Sequence, residues 1–151
     1  MITMFNMGKN TRKLSKAEKA ELLRCIDEYS NTPDGAWLQD VEYHKTTYMW
    51  KDDLKDTDVQ AIRPFFGNKV YLQPNTASDL FWCRIMAAPA IHELRHMWQK
   101  QRNGVVVHAV RSVFDRIVHA VSPSKYETVP LEEDAFTQQD KALNFILTNI
   151  K

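Results

Sequence analysis

His92-Glu93-Leu94-Arg95-His96 lies inside a largely apolar stretch, residues 80–102, among Leu80, Phe81, Trp82, Ile85, Met86, Ile91, Leu94, Met97 and Trp98. Apolar residues around most of the circumference predict a central, buried helix. Thr76 or Ser78 would cap it and Asn103-Gly104 would stop it. Pro89 predicts a kink, or a break into two helices meeting near residue 88. On such a helix, histidines at i and i+4 project from one face, where both imidazoles reach one metal ion. Two histidines and a glutamate in an apolar helix are costly to desolvate unless something satisfies them, and a metal does so. Zinc accepts nitrogen ligands at about 2.0–2.1 Å and, with three protein ligands, keeps a position open for water. Glu93 directly follows the first histidine and is placed to act as general base toward that water. The bland alternatives are a chance pattern among five histidines, or a pair of satisfied core histidines.

The third ligand must come from elsewhere. Gln99 and Arg102 occupy the positions three and six residues after His96, where metzincins carry glycine and histidine, so that class is excluded. His108 and His119 are downstream candidates on a polar helix face shared with Asp115. The better candidate lies in Pro130-Leu131-Glu132-Glu133-Asp134-Ala135. At ~100° per residue, with Glu132 at zero, Phe136 falls near 40°, Leu143 near 20°, Ile146 near 320° and Ile150 near 0°. Glu132 is thus expected in the middle of an apolar stripe, where a carboxylate must be neutralised, paired or metal-bound. Glu133 falls at the stripe's boundary and Asp134 points outward. The alternative role for Glu132 is a first-turn glutamate favoured by the helix dipole.

The rest of the chain supplies a scaffold. Ser15-Lys16-Ala17-Glu18 is a capping-box pattern opening a helix that ends before Asn31-Thr32-Pro33-Asp34-Gly35. Val41, Tyr43 and Thr46 to Trp50 suggest strand, Lys51-Asp52-Asp53 a solvated turn, and Lys69 to Gln73 a strand ended by Pro74. A helix is expected over 105–121 and a last one from Pro130 to the C-terminus. These elements predict an α+β class, mainly helical with a small antiparallel or mixed sheet, as one domain over 1–151. Cys25 and Cys83 read as buried thiols rather than a disulfide, and the four tryptophans as core.

The 151 residues are 44% hydrophobic and 26% charged, ordinary for a globular domain with its own core. A net charge of +1 does not point to nucleic acid or an anionic membrane as partner. No run reaches the ~18 apolar residues of a membrane span, and no signal peptide is visible. The expected location is cytoplasmic, with packaging in a virion as another route.

Together, His92 to Gln99 with Tyr126, Pro130, Glu132 and Ala135 resemble the gluzincin group of zinc metallopeptidases. More narrowly they resemble small bacterial and phage members with the pattern HExxHxWQ followed by YxxxPxE. The resemblance covers residues 69–140 at best. It implies a zincin-like fold, one zinc ion per chain held by His92, His96 and Glu132, Glu93 as catalytic base, and a peptide or protein substrate. It further implies that Lys69, Val70, Tyr71 and Leu72 form the edge strand that pairs with substrate, and that Tyr126 donates to the oxyanion. Simple packing is the other reading of Tyr126. Competing functions are a non-catalytic zinc domain in a virion or a regulator, and a nucleic-acid-associated protease in the style of the SprT-like family. The latter would use a third histidine and a basic patch of Arg95, Lys100, Arg102, Arg111 and Arg116.

Overall fold

In a computed structural model of the chain, the described residues are 8–64, 67–75, 79–104, 113–114, 117 and 130–151. They form an α+β arrangement in which three α-helices accompany a small mixed sheet.

Helix α1 (Lys16–Ser30) begins at the predicted capping box. Ser15 Oγ accepts from the Glu18 amide at 3.1 Å, and the Glu18 carboxylate accepts from the Ser15 amide at 2.7 Å. The helix turns Leu22, Cys25, Ile26 and Tyr29 into the core. Helix α2 (Leu80–Asn103) carries the HELRH residues. Its N-cap is Asp79, whose side chain accepts from the Trp82 amide at 2.9 Å, and not Thr76 or Ser78. Gly104, at φ 80°, ends it in a conformation that glycine adopts without strain. The expected break at Pro89 does not occur, and α2 is one helix. Ala87, Ala88, Ala90 and Ile91 flank the proline and are buried, and their packing offsets the roughly 3 kcal/mol that a mid-helix proline costs. Helix α3 (Pro130–Asn149) starts on its proline, a residue suited to the first helical turn.

Strands β1 (Thr11–Lys13), β2 (Thr47–Lys51), β3 (Ala61–Ile62) and β4 (Lys69–Leu72) form one sheet in the order β1-β2-β4-β3. β2 and β4 are parallel, with Tyr48 beside Val70 and Trp50 beside Leu72, and the two outer pairings are antiparallel. Those four side chains share one face and join α1, α2 and α3 in the core. Lys51 departs from expectation. It closes β2 fully buried, where its Nζ donates to the Lys9 carbonyl at 2.7 Å and pairs with Asp53 at 3.1 Å. Val41 and Tyr43 lie outside the sheet, after a 3-10 turn (Ala36–Asp40). Tyr43 instead donates its hydroxyl to Asp27 at 2.6 Å.

One correction matters for function. β4 is an interior strand, with β2 on one side and β3 on the other. Ala61 and Ile62 pair with Leu72 and Tyr71, and the Gln60 carbonyl accepts from the Gln73 amide at 2.8 Å. Lys69, Val70, Tyr71 and Leu72 therefore do not form an edge of the sheet; among the described residues its outer strands are β1 and β3.

Cys25 and Cys83 are buried free thiols, and burial pushes them up to about 11 and about 12, so neither is an activated nucleophile. The helix expected over 105–121 falls largely outside the described residues. Among the described residues, no helix is long and apolar enough to cross a membrane.

Gly35 fixes the approach of the 3-10 turn to α1. A Cβ there would meet the Tyr29 carbonyl oxygen at 2.1 Å, a backbone atom that cannot step aside. Gly35→Ala should destabilise the protein by about 1–3 kcal/mol, read as a lowered midpoint in urea unfolding. An unchanged midpoint would show that this approach is not fixed.

Candidate metal centre

Of the described elements, helices α2 and α3 make the most extensive contact, and the histidines meet the glutamate at that seam. His92 Nε2 lies 3.1 Å from Glu132 Oε2, and His96 Nε2 lies 2.6 Å from Glu132 Oε1. One ligand atom from each of the three falls within 4.8 Å of the others, so the group could hold a metal ion. His92 and Glu132 are each 7% exposed, whereas Glu133 is exposed. Glu132 does not sit mid-stripe, however. The buried face of α3 runs through Leu131, Ala135, Gln138, Ala142 and Ile146, and Glu132 lies on its flank. Ala135, Gln138 and Ala142 form the middle of that face, which is why hydrophobicity alone misplaced its centre.

The donor chemistry fits a metal. Both Nε2 atoms face the carboxylate, and two imidazole nitrogens with one carboxylate oxygen are a set that zinc accepts. His92 packs edge-on against Phe136, with ring centroids 4.4 Å apart, so the site has an aromatic wall. Its Nδ1 is buried with no hydrogen-bond partner among the described residues.

His96 is held more completely, through a residue whose role was not read from the sequence. Gln99 Nε2 donates to the Leu131 carbonyl at 3.0 Å and to Asp134 Oδ2 at 2.8 Å. That leaves Gln99 Oε1 to accept from His96 Nδ1–H at 2.8 Å, which aims Nε2 at Glu132. Leu131 and Asp134 flank Glu132, so one buried amide orients both a histidine and the helix turn bearing the glutamate. Arg95 completes the clamp. Its Nε and Nη2 donate to the two Asp134 oxygens at 2.7 and 3.0 Å, and its guanidinium lies 3.8 Å from the Trp98 ring centroid and 4.8 Å from that of Trp37. Arg95 is thus spent on structure and not on a basic surface patch. Arg102 likewise lies over Trp98.

Electrostatics follow from the geometry. Burial pushes Glu132 up, but its hydrogen bonds to His92 and His96 and their charges outweigh this and hold it well below the usual carboxylate range. Burial lowers His96, but the Glu132 hydrogen bond, the charges of Glu93 and Glu132, and Gln99 raise it overall. Arg63, at the end of β3, brings its Nε 3.9 Å from Glu93 Oε2. No sequence signal marked Arg63, because its proximity depends on strand order.

His108, His119, Arg111, Arg116 and Tyr126 lie outside the described residues. Lys69 to Leu72 belong to the sheet and are not part of the ligand group. Compared with protein-family models, curated proteins and solved structures, the chain matches none.

Two outcomes test the centre. Gln99→Ala should weaken zinc binding about 10–100-fold, read by competition with a chelating dye. Unchanged affinity would show that Gln99 orients nothing. A metal must also displace the His96 proton, whose pKa is raised above the ordinary 6.5. Zinc affinity should therefore still climb as pH rises past 6.5. In the metal-free protein, the stabilisation from charged His96 is complete below 6.5 and lost as pH rises through its folded value. Titrations of affinity and of metal-free stability that are both flat above 6.5 would contradict this.

Proposed function

We propose that the chain is a zinc-dependent metallopeptidase with a zincin-like fold that hydrolyses peptide bonds. The convergence of His92, His96 and Glu132 donor atoms within 4.8 Å, with Glu93 adjoining His92, carries the reading. A bound zinc ion supplies a Lewis acid for the substrate carbonyl and a water of lowered pKa. His92, His96 and Glu132 would hold the ion. Glu93 takes a proton from the attacking water and returns it to the leaving amine nitrogen. By the same resemblance Tyr126 would donate to the oxyanion. Peptide pairing is assigned to β3, because it lies at the sheet's edge and leads directly to Arg63.

The second reading is a metal-binding domain without catalysis, in a virion or a regulator. The burial of His92 and Glu132 favours it, since a structural site needs no solvent access. Glu93 speaks against it, because a site that only holds metal has no use for a base beside its ligands.

Metal content and turnover separate the two. Protein purified without chelator should carry about one zinc per chain by mass spectrometry, and His96→Ala should lose it. Glu93→Gln should keep the zinc while cleavage of a fluorogenic peptide library falls about 10²–10⁴-fold. Loss of zinc in Glu93→Gln would make Glu93 a ligand, and zinc without cleavage in the wild type would favour the second reading.

A further inference from the structure

The segment from Gln60 to Arg63 bridges the two helices that bear the ligand group. At one end Gln60 Oε1 accepts from Gln139 Nε2 of α3 at 3.2 Å. At the other, Arg63 Nε stands 3.9 Å from Glu93 Oε2 of α2. Gln139 is two turns beyond Glu132, about 20° around α3 from it, and Glu93 adjoins His92. The segment thus runs along the side of the helix pair where the ligands meet.

Arg63 is the cation of this segment, and its side chain is only 7% exposed. Burial pushes its pKa down, and Glu93 offsets this only in part. At 3.9 Å the two groups attract without a hydrogen bond. Nη1 donates to the Pro64 carbonyl at 3.2 Å, which fixes the guanidinium plane. A guanidinium held this way matches a carboxylate better than it matches any other common peptide group.

The strand before it limits what can approach. β3 has two residues, and Pro64, after Arg63, has no N–H to offer. A peptide added to the outer side of β3 pairs over one or two residues before it reaches Arg63. A short pairing that ends at a buried cation suits a chain end. We infer that Arg63 determines specificity by binding the free C-terminal carboxylate of the substrate. The substrates are then peptides cut one or two residues from their C-terminus. This rests on the metallopeptidase reading above.

The test uses cobalt-loaded protein, whose visible absorption reports ligands reaching the metal. Acetohydroxamate and the monohydroxamate of succinic acid share a metal-binding group, and the second adds a carboxylate two carbons away. The carboxylate-bearing probe should bind about tenfold or more tightly in the wild type. Arg63→Gln should erase that preference and Arg63→Lys should retain part of it. Equal affinities in the wild type would overturn the assignment whether or not the variants fold, as would a preference unchanged in Arg63→Gln. Protein that takes up no cobalt would overturn the metal reading itself, whereas cobalt uptake with equal probe affinities removes only the role of Arg63.

Discussion

A carboxylate buried between two imidazoles is the constraint around which α2 and α3 are arranged. Glu132 could not lie in the helix seam as a lone charge, because its desolvation would exceed what any single packing contact returns. It is tolerated because His92 and His96 reach both of its oxygens. That double contact fixes the rotation of α3 about its axis, since one residue further on, Glu133 points into solvent. The surrounding polar groups serve the same register. Gln99 grips the backbone just before Glu132, and Arg95 grips Asp134 two residues after it.

The hydrophobic core makes this polar seam affordable. Tyr48, Trp50, Val70 and Leu72 present one sheet face to α1, α2 and α3. The buried alanines at 87, 88, 90, 135 and 142 give the helices smooth, small surfaces for close packing. Close packing is also what leaves Gln99 and Gln138 buried between elements. Gln138 Oε1 accepts from both Tyr29 and Trp37, so it ties α1 and the 3-10 turn to α3. Misplacing any of these elements would orphan a buried polar group, at a cost of about 1–3 kcal/mol for each.

What the sequence disclosed was local in character. The capping box of α1 needs residues three apart, and the paired histidines of α2 need residues four apart, so both were legible. Choosing Glu132 over Glu133 needed only helical phase. That phase was read slightly wrong, because Ala135, Gln138 and Ala142 line the seam, to one side of the stripe expected through Phe136, Leu143 and Ile150. Strand order was not legible. β2 and β4 are parallel neighbours separated by β3 in sequence, and nothing in the residues of β4 distinguishes an interior strand from an edge. Lys51 was misread for the same reason. Its burial depends on the Lys9 carbonyl and on Asp53, and the carbonyl comes from a segment some forty residues away. Gln99 and Arg63 each act through partners that only the tertiary arrangement supplies.

The separation of core from ligand group bears on why a metal would be there at all. In small zinc-stapled domains the metal replaces a core, and the apo chain is unfolded. Here, among the described residues, twenty buried apolar residues already form a continuous cluster. The three donor residues are already oriented by Gln99, by the flanking turn of α3 and by one another. Loading an ion there would displace the proton of His96. A metal that is not needed to build the core, held by two imidazoles and a carboxylate beside a further glutamate, would be better explained by chemistry at the ion than by stability. The adjoining pair of Glu93 and Arg63 strengthens that view. Glu93 and the buried Arg63, 3.9 Å apart, bring nothing to holding a metal, but a carboxylate and a guanidinium are groups that a hydrolytic site can set against a substrate.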